Sequence, residues 1–149
     1  MKLLSQTLSV LLMALFIQGC QLGQDDEEED VEADIFTVAV DYYDDTITND
    51  SLYEVKVQSN FTDIILKDDI SEITIYGSDN QIEIDSDTAI DKISITGSRN
   101  IFTVKIDVDL TVTQLTIVGD NNSVTLFDVT SPVTDSGTDN LVCENNICS

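Results

Sequence analysis

One pattern constrains this chain more than any other. A unit of alternating apolar and polar residues interrupted by Gly-x-x-Asn recurs at nearly even spacing. Ile73-Thr-Ile-Tyr-Gly77-Ser-Asp-Asn80-Gln-Ile-Glu-Ile84 returns as Ile93-Ser-Ile-Thr-Gly97-Ser-Arg-Asn100-Ile-Phe-Thr-Val104. It returns again as Leu115-Thr-Ile-Val-Gly119-Asp-Asn-Asn122-Ser-Val-Thr-Leu126, and in degraded form as Val133-Thr-Asp-Ser-Gly137-Thr-Asp-Asn140-Leu-Val142. Strict alternation over a few residues marks short strands with one face buried. Periodic repetition of such a unit marks supersecondary elements that bury their apolar faces by stacking on one another.

The pattern extends backwards. Leu52, Val55, Val57, Ile64 and Leu66 match Ile70, Ile73, Ile75, Ile82 and Ile84 at a constant offset of 18, with Ser59 and Thr62 standing for Gly77 and Asn80. A weaker copy opens at Ile35, Val38 and Val40. The expectation is all-β: a parallel β-solenoid of about five to six turns of 18 to 22 residues. In that register Leu52, Ile70, Ile90 and Val112 form one apolar column. Val55, Ile73, Ile93 and Leu115 form a second, and Val57, Ile75, Ile95 and Ile117 a third. Gly permits positive φ in the turn and Asn tolerates it, and stacked Asn80, Asn100, Asn122 and Asn140 would form an amide ladder. The rival fold is an antiparallel β-sandwich.

The charges fit the solenoid register. Lys67, Asp85 and Lys105 fall in one column, Glu72 precedes Lys92 by 20, and Asp79 precedes Arg99 by 20. Opposite charges on neighbouring strands stabilise by roughly 0.2–1 kcal/mol each.

A stack must close its ends. In the last copy Asp135 replaces an aliphatic residue and Glu144 falls where Ile84 would align, while Pro132 suits an end. Cys143-Glu-Asn-Asn-Ile-Cys148 then closes the chain. Asn145-Asn146 is a turn pair, so a Cys143–Cys148 disulfide is expected. No base nearby would lower a thiol pKa, and two sulfurs without His make a poor zinc site.

The beginning of the chain is different. Lys2 is followed by a mostly apolar run from Leu3 to Ile17, too short and too interrupted to span a bilayer, and then Gln18, Gly19 and Cys20. Ile17-Gln18-Gly19-Cys20 resembles the lipobox of bacterial lipoproteins, with Gln18 in place of the usual small residue. The resemblance implies a cleaved signal (residues 1–19), lipid on Cys20, palmitate-type acylation of the new N-terminus, and a membrane held through that anchor. Gln21 after the Cys resembles the sorting pattern for the outer membrane. Residues 20–34 then read as a lipidated acidic tether, since Asp25 to Asp34 packs eight carboxylates into ten residues and like charge keeps such a run extended. Residues 35–149 form the β-repeat domain. Its apolar-x-Gly-x-x-Asn-x-apolar units resemble a family of bacterial secreted and lipoprotein domains built of Gly-x-x-Asn β-repeats. Over roughly residues 52–142 that resemblance implies a β-repeat fold and no assigned activity.

Composition narrows the function. Six basic residues face 29 acidic ones, for a net charge of −23. Phosphate backbones need Lys and Arg, so nucleic acid is not an expected partner. With no His in the chain, Ser-His-Asp and Cys-His catalysis are unavailable. Three readings stand. The first is a structural or binding module at the cell envelope, with an envelope protein or a glycan as partner. The second is a calcium-binding surface, with Asp69, Asp87 and Asp107 as a candidate column, though no recognisable calcium loop occurs. The third is a polysaccharide-active enzyme using paired carboxylates, against which scarce aromatics argue. No catalytic residue is assigned.

Overall fold

A computed structural model describes residues 33–105, 108–126, 133–144 and 147–148. Cys20, residues 20–32 of the tether, Asp107, Pro132 and the Asn145-Asn146 pair lie outside the described residues.

Twelve strands alternate between two parallel sheets. The first holds β1 (Asp34–Val38), β3 (Tyr53–Val57), β5 (Ile70–Tyr76), β7 (Thr88–Thr96), β9 (Leu110–Val118) and β11 (Val133–Asp135), in that order. The second holds β2 (Asp44–Ile47), β4 (Asp63–Leu66), β6 (Gln81–Ile84), β8 (Ile101–Val104), β10 (Ser123–Leu126) and β12 (Leu141–Glu144), and ends in the antiparallel β13 (Ile147–Cys148). Odd strands stack on odd and even on even, so each Gly-x-x-Asn unit is one rung with two short strands. This is the parallel β-solenoid, and the antiparallel sandwich is excluded.

The alternation in the sequence becomes the core directly. Val55, Ile73, Ile93 and Leu115 pair in register and are fully buried, as are Val57, Ile75, Ile95 and Ile117. Ile64, Ile82, Phe102 and Val124 face them from the second sheet. Each such side chain removed from water stabilises by about 1.5–3 kcal/mol.

The register differs from expectation at the outer column and the first rung. Tyr53, not Leu52, pairs with Ile70; Tyr53 is buried while Leu52 is 37% exposed. Tyr53 can replace an aliphatic because its hydroxyl finds backbone acceptors, the carbonyls of Lys67 and Ile47. Ile70 is level with Thr88, whose Oγ1 accepts the Ile70 N–H at 3.2 Å, so it does not pair with Ile90. Two added residues per rung carry Ile90 further along, where it pairs with Val112. In the first rung Phe36 and Val38 pair with Val55 and Val57. Ile35 and Val40 face solvent instead, and β1 begins at Asp34, one residue inside the expected tether.

Candidate functional site

The turn column is the most organised polar feature of the molecule. Gly77, Gly97 and Gly119 have the positive φ expected of them, and the second left-handed residue of each turn is the one just before the ladder Asn, or before Thr62 in the first full rung. Phe61, Asp79, Arg99, Asn121 and Asp139 all have φ between 56° and 62°. This corrects the expected role of the asparagines, which are held by their side chains rather than by an unusual φ.

Asn80, Asn100 and Asn122 each bond to the rungs on both sides. Asn80 Nδ2 donates to Asn100 Oδ1 at 3.1 Å, Asn100 Nδ2 to Asn122 Oδ1 at 3.0 Å, and Asn122 Nδ2 to Asn140 Oδ1 at 3.0 Å. The Oδ1 atoms of Asn80, Asn100, Asn122 and Asn140 accept the backbone N–H groups of Thr62, Asn80, Asn100 and Asn122 respectively. The second amide hydrogen of each goes back to the preceding rung, to Ser59 O, Gly77 O, Gly97 O and Gly119 O. Asn80, Asn100 and Asn122 are buried, and every polar atom of their amides is satisfied, as a buried amide requires.

Glycine follows from the same closeness. A Cβ on Gly97 would stand 1.8 Å from Gly77 O, and one on Gly119 2.2 Å from Gly97 O. The first full rung carries Ser59 there, and its Oγ lies 2.8 Å from Thr62 Oγ1, a hydroxyl pair in place of the amide.

A second ladder runs beside the first in the opposite sense. Asp41 Oδ1 accepts Asn60 N–H, Asn60 Oδ1 accepts Ser78 N–H, and Ser78 Oγ accepts Ser98 N–H, at 2.7, 2.9 and 3.1 Å. Ser98 Oγ accepts Asp120 N–H at 3.4 Å, and Asp120 Oδ1 accepts Thr138 N–H at 2.8 Å. The sequence reading missed this column. Its signal is that the residue after Gly, or after Ser59 in the first full rung, is always short and able to accept: Asn60, Ser78, Ser98, Asp120 and Thr138.

The charged pairs sit on the outer faces as the spacing predicted. Lys92 Nζ meets Glu72 Oε1 at 2.7 Å, and Arg99 bridges both oxygens of Asp79 at 2.6 Å. Asp85 lies between Lys105 at 2.9 Å and Lys67 at 3.7 Å. Lys56 pairs with Glu54, two residues away on its own strand. Hydrogen bonds from Lys92 and Lys105 hold the carboxyls of Glu72 and Asp85 below the usual carboxylate range. Every basic residue from 33 onward is thus engaged with an acid.

Of the candidate acidic column, Asp87 stands level with Asp109, whose N–H donates to Asp87 Oδ1 at 2.7 Å. Among the described residues no cluster of three Asp, Glu, His or Cys side chains is placed to hold an ion. At the far end Cys143 and Cys148 face each other across the β12–β13 pair, their sulfurs joined at 2.09 Å. Glu144 pairs in register with Leu126, at the position the alignment gave it.

No family model, curated protein or solved structure matches this chain.

Proposed function

We propose that this chain is an envelope lipoprotein that displays a rigid, acidic β-solenoid. Lipid on Cys20 holds it to a membrane, and in a host with two membranes that is the outer one. The acidic run after Cys20 keeps the domain off the lipid surface by charge repulsion. The solenoid itself serves as a structural element or as a binding surface for an envelope protein or glycan.

One combination supports the reading: a signal-like start that ends Ile17-Gln18-Gly19-Cys20, and a domain whose other two cysteines form a disulfide. Disulfides persist in oxidising compartments outside the cytosol, so both ends of the chain point to export. The two ladders suit a display role because they tie every rung to its neighbours. Among the described residues the engaged Lys and Arg side chains leave no free cationic patch for phosphates.

Labelling cells with a fatty-acid analogue tests the anchor. Label should enter the wild-type chain, and Cys20→Ser should abolish it and release the protein from membranes. An unlabelled wild type would overturn the anchor. Pull-down of envelope proteins and glycans on the immobilised chain then separates the roles. A specifically retained partner establishes binding, and none narrows the role to structure.

A further inference from the structure

In the second sheet an apolar row of the core ends on a carboxylate. Glu144 pairs in register with Leu126. At this position of the earlier rungs Leu66, Ile84, Val104 and Leu126 are all fully buried. Glu144 stands where a leucine would, and its Oε1 is sealed from solvent without a hydrogen-bond partner. Among the described residues no other buried side-chain oxygen or nitrogen is left so. The buried asparagines of the ladder have partners for every amide atom. An unpaired buried acceptor costs free energy, and more when it is charged.

Glu144 is covered at the sheet edge by β13. This strand of two residues pairs with β12 at Cys143–Cys148 and Glu144–Ile147. It brings no side chain to the core, since Ile147 is 76% exposed and Cys148 is exposed. Two paired strands with nothing buried between them are marginal in water, so the disulfide is the main fastening of β13. It keeps closed a segment that gains little from closure, beside a carboxylate that would gain from water.

We propose that Cys143–Cys148 is a redox clasp, opened by a dithiol from outside the chain. Reduction frees β13, lets Glu144 turn into water and bares the outer edge of β12, while the rungs stay folded. Access favours one sulfur, because Cys148 is exposed and Cys143 is 7% exposed. A thiolate of the dithiol attacks Cys148 Sγ, a mixed disulfide forms, and Cys143 leaves as a thiolate and takes a proton. The second thiolate of the dithiol attacks its own sulfur in that mixed disulfide. Cys148 then leaves and is protonated, and the reductant closes its own disulfide. Two electrons and two protons have passed to the protein. The cysteines need no base beside them, because this chain receives the attack and does not deliver it. Hydration of Glu144 favours the open form, so the bond is easier to reduce than the same bond beside an apolar residue. The clasp does not depend on lipid at Cys20.

Equilibration of the full chain in mixtures of reduced and oxidised dithiothreitol tests this. Acid quenching, alkylation and mass analysis of the C-terminal peptide read the pair separately from Cys20. Glu144→Leu should need about a tenfold higher ratio of reduced to oxidised reagent for half reduction than the wild type, a shift of about 30 mV. Glu144→Gln removes the charge but keeps a polar group; it should shift the same way by less, and it carries the comparison if the leucine variant does not fold. Strand circular dichroism should survive reduction of the wild type. Leu141 N–H donates to Asn122 O, and backbone groups alternate in direction along a strand, so Glu144 N–H faces β13. Amide exchange should therefore quicken on reduction at Glu144 and not at Leu141. Equal titrations of the wild type and the folded variants, loss of the strand signal on reduction, or unchanged exchange at Glu144 would each overturn the proposal.

Discussion

Asn140 gives its side-chain amide to Asp135 Oδ1 at 2.7 Å, and with that bond the asparagine ladder ends inside its own rung. Asn80, Asn100 and Asn122 each give the equivalent hydrogen to the next asparagine. Among the described residues no asparagine follows Asn140 in the stack, and Asp135 supplies the missing oxygen. Replacing a core aliphatic with Asp135 thus closes the polar column while it interrupts the apolar one.

The middle of that column should be the most sensitive position in the chain. Asn100→Ala removes the acceptor of Asn80 N–H and Asn80 Nδ2 and the donor to Gly77 O and Asn122 Oδ1. Each buried polar group left unpaired costs about 1–3 kcal/mol, so a loss of roughly 3–5 kcal/mol is expected. Asn140→Ala, at the partly exposed end, should lose clearly less. Urea unfolding of the two variants checks this; equal losses would show that burial does not grade the ladder.

Gly97→Ala meets two obstacles at once. Gly97 has φ 138°, and a Cβ there would stand 1.8 Å from the Gly77 carbonyl oxygen. That oxygen is backbone of the next rung and also accepts from Asn100, so it cannot retreat without opening the ladder. Strain and overpacking together should cost about 2–4 kcal/mol. A change from Ser98 to Ala, one residue on, removes only an acceptor at 3.4 Å. It should cost less than about 1 kcal/mol, as read by the same unfolding curves.

Much of this was written in the sequence because a solenoid repeats its register. A constant offset carries apolar residues onto apolar ones and acids onto bases, so the inner columns, the asparagine ladder and the Lys67–Asp85–Lys105 group were legible. What was not legible lay where the repeat changes length or identity. The two extra residues between Ile70 and Ile90 shift the outer column, and only strand pairing reveals that Thr88 is level with Ile70. Tyr53 was passed over for Leu52 because a tyrosine is a core residue only when its hydroxyl finds an acceptor. The second ladder escaped notice because Asn60, Ser78, Ser98 and Asp120 share an accepting oxygen rather than a residue type.

The paired carboxylates predict how the fold responds to acid. Glu72 is held low chiefly by the Lys92 hydrogen bond, against a smaller opposing effect of burial, and Asp85 is held low chiefly by Lys105. A carboxyl with a lowered folded pKa contributes stability above its unfolded pKa. That contribution is lost as pH falls through the folded value, because the unfolded chain takes the proton first. The loss should begin below ordinary values of 4.5 for Glu72 and 3.8 for Asp85. Protonating the many other acids relieves repulsion and works the other way, so the comparison must be between variants. Lys92→Gln and Lys105→Gln should be less stable than wild type at neutral pH and should approach it in acid. Melting temperatures followed from neutrality to about pH 2 decide it. A constant difference across the range would show that these pairs do not couple to protons.

Tyr53 predicts the opposite limb. Its ring is buried in the place of an aliphatic residue, and its hydroxyl donates to Lys67 O. Burial pushes its pKa from 10 to about 12, with the Asp68 charge adding to the rise. A raised folded pKa means the folded chain holds the proton after the unfolded chain has released it. The stability this represents is complete below pH 10 and is lost as pH climbs toward about 12. Tyr53→Phe removes the ionisable group and should flatten the alkaline fall in stability. It should also cost about 1 kcal/mol at neutral pH through the lost hydrogen bond. The late step in tyrosinate absorbance, that of Tyr53, should coincide with unfolding. If the late step appears while circular dichroism is unchanged, Tyr53 ionises in place and its hydroxyl is not what resists alkali.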